Sequence, residues 1–447
     1  MRVPLTDLGA IGIITDHPGH ELPPNAFTGG NNVCFRDGIA QKIPGHSAVF
    51  GTPGIRPQWL MPYPDPNSGN YYWIYPGIND ADAGKIYTYD GSSHVDRTRA
   101  AGGDYAPTAL IPWTGGVCNG LPVVNNGVDE PQKWDRTAGA LKADLEDLAN
   151  WPSGYTARVI RPFREFLVAL DVFDGSDRNP YRVMWGDPTD PFTEPSTWIA
   201  AAGNLAGSVY LAEGGDYIID CLPLRGVNVI YKRDSTWAMR YIGGNQVFAF
   251  ERMFSEHGIL APRCVKAFRD GRHFVATNGD IVVHDGSVAQ SVADQRVRAH
   301  IFDNIDPTYY QTAYVVPNYS QEEMWFCYPT SGASLPNTAA IYNVKSNAWS
   351  FRDLKDSIHI GYGVVNISAE TYNGLTGTYE DQTGIYDSLS YNPTQYELLQ
   401  AEHEGTTSNS QFNKMDDSNR FDGVNYNAYL ERTGLDVAAI GPGGLSL

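Results

Sequence analysis

Along this chain, short apolar runs alternate with clusters of Gly, Pro, Asn and Asp, and few stretches carry a 3.6-residue period. Lys85-Ile86-Tyr87-Thr88-Tyr89 alternates apolar and polar positions as a half-buried strand does, and Asn70-Tyr71-Tyr72-Trp73-Ile74-Tyr75 is rich in β-forming residues. One signal recurs: an apolar strand ends in an aromatic residue or His, then Asp, Asn or Gly, then a polar turn and a second strand. It reads Val33-Cys34-Phe35-Arg36-Asp37-Gly38, Ile86-Tyr87-Thr88-Tyr89-Asp90-Gly91, Gln132-Lys133-Trp134-Asp135-Arg136 and Val183-Met184-Trp185-Gly186-Asp187. It returns at Val229-Ile230-Tyr231-Lys232-Arg233-Asp234, Val282-Val283-His284-Asp285-Gly286 and Ile341-Tyr342-Asn343-Val344, with a fainter copy at Ile385-Tyr386-Asp387. Successive copies lie about 45–60 residues apart, close to the length of one propeller blade. The pattern predicts a mainly β chain folded as an irregular β-propeller of about six to eight four-stranded blades.

The same texture sets the expected organisation. Residues 1–32, with Pro18-Gly19, Pro23-Pro24 and Gly29-Gly30, read as an extended arm that draws its order from a neighbour; residues 33–360 carry the propeller. Phe35 to Ile43 reads as a hairpin turning at Asp37-Gly38. Residues 361–447 read as a loop-rich closing or contact segment, with a strand at Gly361–Val365, a last hairpin at Gly384–Asp387 and a polar stretch from Asn392 to Asn419. Two short helices are expected, at 138–149 and at 292–301, where Val292, Val297 and Ile301 are roughly helically spaced.

Composition narrows the function. A hydrophobic content of 42% suffices for a core, and a net charge of −19 removes the basic footprint of a nucleic-acid grip. Acid repels phosphate, so such a chain can border DNA without holding it. The five cysteines, Cys34, Cys118, Cys221, Cys264 and Cys327, are scattered and never form CxxC, which argues for small buried hydrophobes in a reducing compartment over disulfides or zinc. The stretch from Met1 to Ile14 does not read as a secretory leader, and no run approaches the ~18 apolar residues of a membrane helix.

Candidate chemistry is sparse. No Walker loop, GxSxG, HExxH or GxGxxG occurs. Asp16-His17-Pro18-Gly19-His20-Glu21 gathers possible metal ligands, but Pro and Gly break any helix that would align the two His, and a solvated loop is the favoured reading. Asp171 to Asp177 resembles a calcium loop without its ladder or closing Glu, so a hairpin turn is favoured. His284-Asp285 occupies the position held elsewhere by Tyr89-Asp90 and Tyr342-Asn343, which makes it a repeat position before a triad fragment. Arg233-Asp234-Ser235-Thr236-Trp237 echoes a sialidase Asp-box without its spacing. Tyr71-Tyr72-Trp73 and Trp325-Phe326 read as blade core before sugar or base platforms. No catalytic, cofactor or metal residue is assigned, and an enzyme is not expected.

Two stretches resemble a known family. Asn32 to Gly45 (NVCFRDGIAQKIPG) is similar to the opening of short-tailed phage (podovirus) tail nozzle or tail hub proteins, in which an Asn precedes a Gly turn and a Pro-Gly before the first blade. Val247 to Val265, leading into Gly271–Ala276 and the Gly279-Asp280 and Asp285-Gly286 turns, resembles the same family. The likeness spans roughly residues 30–355 and carries over no functional residue, because the family works through shape. It implies a virion protein: a homo-hexameric ring below the portal and the head-to-tail adaptor ring, assembled in the bacterial cytoplasm. That ring would extend the DNA exit channel, retain the genome and gate ejection, with tail fibres or a needle as further contacts and passing DNA left unbound. The alternative is a carbohydrate-binding or glycosidase-type propeller acting on host surface polysaccharide, and a third is a cellular propeller adaptor.

Overall fold

The computed structural model describes residues 6–106, 112–367 and 394–435. The fold is a β-propeller of seven antiparallel sheets. Blade one comprises Arg56–Pro57 and Met61–Pro64, both paired to Tyr71–Ile78, then Gly84–Tyr89 and His94–Asp96. Blade two comprises Thr114–Cys118, Leu121–Asn125, Gln132–Lys133 and Glu146–Asp147. Blade three follows with Thr156–Phe163, Phe166–Phe173, Arg178–Trp185 and Gly207–Tyr210, and blade four with Ile218–Leu224, Val227–Lys232, Thr236–Tyr241 and Phe248–Phe254. Val265–Ala267, His273–Ala276, Ile281–His284 and Ala289–Ser291 form blade five. Tyr314–Asn318, Glu323–Tyr328, Thr338–Asn343 and Ala348–Asp353 form blade six. Blade seven joins Ser357–Val364, Tyr396–Glu402 and Phe412–Met415 to an early strand, His46–Val49.

The recurring signal marks one structural position. In blades one, five and six it ends the third strand, where a buried ring (Tyr89, His284, Tyr342) precedes an Asp or Asn that closes the next turn. Asp90 Oδ1 accepts the amides of Ser92 and Ser93 at 2.9 Å each, Asp285 Oδ1 those of Ser287 and Val288 at 2.9 and 3.1 Å, and Asn343 Oδ1 those of Lys345 and Ser346 at 3.1 and 3.0 Å. These are Asx turns, in which the side chain takes the place of a backbone carbonyl. Trp134-Asp135 and Trp185-Gly186-Asp187 end the third strands of blades two and three. The copy at 229–234 instead turns the second strand of blade four into the third, the copy at 33–38 forms a separate hairpin (Val33–Arg36 with Ile39–Lys42), and the copy at 385–387 lies outside the described residues, as does the hairpin expected at 384–387.

The chain divides into two compact units. The larger, Ala48–Phe254 with Ser357–Met415, holds blades one to four and most of blade seven. Its core lies between neighbouring blades: Trp59, Trp113 and Trp134 join blades one and two, Leu167, Met184 and Trp198 join two and three, and Phe166, Trp185 and Phe248 join three and four. Blade one meets blade seven where Trp73 Nε1 donates to Val364 O at 2.8 Å and Val364 N donates to Tyr71 Oη at 3.0 Å. The smaller, Met1–Ser47 with Ser255–Asp356 and Asp416–Leu447, holds blades five and six. There the N-terminal residues take their order from blade six of this same chain: Ile13 N donates to Trp349 O at 3.0 Å and Asn32 N to Phe351 O at 2.8 Å. Gly12, at φ +83°, is required at that crossing, because a Cβ would sit 2.9 Å from Trp349 N. Residue 360, the expected boundary, falls inside the first strand of blade seven.

One expected helix is absent and one is shorter. At 138–149, Arg136–Thr137 pairs with Ala140–Leu141 and Glu146–Asp147 becomes the outer strand of blade two. Ala138 and Gly139 both take positive φ (51° and 85°), making a two-residue hairpin turn that helical spacing of the leucines does not override. In the second segment only Arg298–Phe302 is helical, because Val292 N is still bonded to the sheet through Ile281 O. Trp73 is 1% exposed, so Trp73→Ala should cost about 3–5 kcal/mol through lost contacts and an orphaned carbonyl. The denaturant midpoint of tryptophan fluorescence is the check; a shift smaller than that of a surface Trp-sparing control would show that blades one and seven do not depend on this contact.

Candidate functional site

The sequence candidates settle into structural roles. Asp16 caps the amides of Ala299 and His300 at 2.9 and 3.4 Å, while His17 and His20 lie beside Glu21 at the surface, 4.0 and 3.8 Å away. Among the described residues no three His, Cys, Asp or Glu side chains converge as a metal site. In the 171–177 stretch, Asp171 takes the guanidinium of Arg178 (Nε at 2.8 Å) and Asp174 Oδ1 accepts the amides of Ser176 and Asp177, so the carboxylates close a hairpin. His284 and Asp285 do not act as a couple: Asp285 is turned into its own Asx turn, and the His284 ring packs on His273 with centroids 5.3 Å apart. Burial, then the neighbouring His273, pushes His284 down to about 3. Ser235 Oγ donates to Asp216 at 2.6 Å and accepts from Trp237 Nε1 at 3.2 Å, which ties down the 233–237 turn. Tyr71, Trp73, Trp325 and Phe326 are buried, and the half-buried Tyr72 sits edge-on against Trp134, 5.2 Å between centroids. All five cysteines are buried, and burial pushes the thiols of Cys34, Cys221 and Cys327 to about 11, 12 and 12.

The strongest electrostatic feature lies in the smaller unit. Arg36 ends the first strand of the 33–42 hairpin and forks onto Glu323, Nε to Oε1 at 2.7 Å and Nη2 to Oε2 at 2.9 Å. The same Nη2 reaches Asp416 Oδ2 at 2.8 Å, and Asp416 Oδ1 accepts from Arg352 Nη1 at 3.2 Å. Trp325 Nε1 donates to Glu323 and Asn318 Nδ2 to Asp416. Arg352 is fully buried, 5.2 Å over the Trp325 ring and 5.1 Å over Phe421, and among the described residues its Nε and Nη2 have no hydrogen-bond partner. Burial raises the Glu323 carboxyl above its ordinary range even though Arg36 pulls the other way. Two guanidinium and two carboxylate groups thus balance in a nearly dry site that binds the hairpin, blade six and the 416 segment together. Beyond it the C-terminal stretch straps over residues 42–47: His46 N donates to Arg420 O at 3.0 Å, Asp422 N to His46 O at 3.0 Å, and Lys42 Nζ sits 3.8 Å over the Tyr426 ring. The His46 ring stacks on Phe421, centroids 4.8 Å apart, and neither of its nitrogens finds a hydrogen-bond partner among the described residues.

Between blades five and six opens a cleft of about 450 Å³. Arg272, Arg296, Tyr342 and Asn347 are among the residues that line it. Its composition was not marked by any motif: Arg272, Arg296 and Tyr342 come from three separate stretches, and Tyr342 carries the same repeat position that is structural elsewhere.

Two outcomes follow from the cluster. Arg36→Met strands Glu323 and should cost about 3–5 kcal/mol, whereas Arg36→Met with Glu323→Leu should recover much of that loss; urea midpoints of the double-mutant cycle measure it, and additive losses would mean the two side chains do not couple. His46 is held neutral at about 4 against an ordinary 6.5, first by burial and then by Arg352. Its contribution is therefore complete above pH 6.5 and drains away as pH falls from 6.5 toward 4, because the unfolded chain takes up the proton first. The loss is of order 3 kcal/mol, and His46→Phe, which keeps the stack on Phe421, should flatten the urea midpoint over that window, leaving the shares due to His94, His284 and His300, each also lowered by burial. An unchanged slope would place the acid sensitivity elsewhere.

No protein-family model matches the chain, and no curated protein sequence matches it. Among solved structures, BBS1N in complex with ARL6DN, soaked with mercury, is 9% identical with a TM-score of 0.43, over 83% of this chain and 97% of that one. The lead-soaked form of that complex gives the same values. A luciferin-regenerating enzyme is 8% identical with a TM-score of 0.37, over 83% of this chain and 94% of that one.

Proposed function

We propose that this chain is a structural virion protein, the subunit of a tail nozzle or hub ring of a short-tailed phage, and that its work is mechanical, with no catalytic step. The observation that carries the reading is the likeness of the Asn32–Gly45 and Val247–Val265 stretches to that family, and the propeller fold is compatible with it. The first stretch is also one that this chain invests in: Asn32 bonds Asp353 at 2.7 Å and Arg36 anchors in the buried ion cluster.

In this reading six copies close a ring on the adaptor and continue the DNA channel. A net charge of −19 suits a wall that DNA passes, since each phosphate contact would release counterions, bind and add drag. Ejection then requires only that the ring change shape when the tail meets the host surface. Residues beyond 360 are assigned to the contacts with fibres or a needle.

A cryo-electron reconstruction of the native particle tests this. Six copies on the tail axis below the adaptor are expected, and a single copy or a peripheral position would overturn it. Purified protein should also release no reducing sugar from host polysaccharide; release that is lost on changing one carboxylate would move the assignment to a glycosidase.

A further inference from the structure

We infer that the cleft between blades five and six binds a carboxylate-bearing saccharide, gripped by Arg296 and Tyr342. Among the described residues, two groups of the lining lack the partner each would take: Arg296 a carboxylate and Tyr342 a hydrogen-bond acceptor. Arg296 donates from Nη1 to Asn347 O at 2.6 Å and has no carboxylate within ion-pair distance among the described residues, although the chain carries 51 acidic side chains. Tyr342 is 7% exposed, its ring stacked on Phe274 with centroids 6.0 Å apart and packed on Trp349 at 5.1 Å, yet its hydroxyl makes no hydrogen bond to the described residues. Tyr342, Arg296 and Arg272 line the same cleft; burial raises the phenol above its ordinary range, and the positive charges of Arg296 and Arg272 work against that shift. A neutral O–H and a planar cation facing one cavity is a donor arrangement for a carboxylate.

The rest of the lining selects the body of the ligand. Arg272 is engaged at the rim by Asp270, Nε to Oδ2 at 2.7 Å, and Asp294 by Arg298 at 3.1 Å, so neither of those acids cancels Arg296. Ser291 gives its hydroxyl to Asp280 at 2.9 Å, which leaves Gln290 and Asn347 as the amide groups available to sugar hydroxyls. Val283, Val292 and Val344 offer small apolar faces suited to the C–H faces of a sugar ring. A volume of about 450 Å³ falls in the range of small-molecule sites. A polyanion such as DNA is disfavoured, because the whole chain repels it while one short cleft attracts it.

This inference stands apart from the nozzle reading: a ring subunit without the cleft's ligand is still a ring subunit, and a saccharide-binding chain off the tail axis still binds. The test is calorimetric titration of the full chain with a galacturonate trisaccharide, a neutral galactose trisaccharide, inorganic phosphate and a short poly-glutamate peptide. The acidic sugar should bind, the neutral one at least about tenfold more weakly, and Arg296→Gln and Tyr342→Phe should each weaken the acidic sugar by about tenfold. Lys345→Gln, outside the cleft, should change nothing, and unfolding midpoints identify any variant that fails to fold; Tyr342→Phe keeps the ring stack and serves if Arg296→Gln does not. No binding of galacturonate, equal binding of the neutral sugar, or binding untouched by both substitutions would overturn the proposal. Phosphate or poly-glutamate binding as tightly with the same dependence on Arg296 would overturn the saccharide and assign the cleft to that anion.

Discussion

A four-stranded twisted sheet has two apolar faces and can bury neither by itself. Everything in this chain answers to that constraint. Blade three shows it plainly: Phe166–Phe173 is buried at seven consecutive positions, with Leu167 and Ala169 facing the core shared with blade two and Phe166, Val168 and Leu170 facing the core shared with blade four. A strand buried on both sides reads as a continuous apolar run, not as an alternation, and each such blade supplies half of two cores. A terminal blade with only three strands would leave an open edge and a bare face; His46–Val49 completes the fourth position of blade seven from the other end of the sequence.

Bringing distant stretches of chain together costs entropy that local turns cannot offset, and the polar cluster of the smaller unit joins residues far apart in sequence. Arg36 and Glu323 are 287 residues apart, and Arg36 and Asp416 are 380 apart. Burying these charges is unfavourable for each alone; their ion pairs form only with the hairpin, blade six and the 416 segment all in place. The cluster thereby ties the three segments to one another through paired charges. Among the described residues Nε and Nη2 of Arg352 and both ring nitrogens of His46 lack hydrogen-bond partners, and these groups are held by packing, Arg352 over Trp325 and His46 on Phe421.

What was legible in the sequence was local. The Asx turns announce themselves because Asp90, Asp285 and Asn343 do their work within three residues, and the ring before each one is apolar for a reason that repeats with every blade. Where two turn chemistries share residue types, position was lost: Tyr231 to Asp234 carries the signal but turns the second strand of blade four, and Asp37-Gly38 turns a hairpin outside the seven sheets. The 138–149 segment failed for a related reason, since Ala and Leu favour a helix while two successive positive-φ residues, Ala138 and Gly139, commit the backbone to a hairpin. Neither the Arg36–Glu323 pair nor the Arg296–Tyr342 cleft was readable, because nothing local distinguishes an arginine that pairs far away from one that faces solvent.

The two functional readings draw on different physics and meet in the charge distribution. Repulsion of DNA is a property of the whole chain, summed over many exposed acids and falling off over a Debye length of about 8 Å in physiological salt. Capture of a single carboxylate needs only one desolvated cation with no competing acid within contact distance, and a strongly acidic protein must build that exclusion locally. Asp270 and Asp294 each pair with another arginine and Asp280 accepts from Ser291, while Arg296 donates to the Asn347 carbonyl and to no carboxylate among the described residues. On the two proposals, long-range repulsion and short-range recognition are separable in one acidic chain: the first sums over its charge, the second rests on Arg296 and Tyr342 in a single cleft.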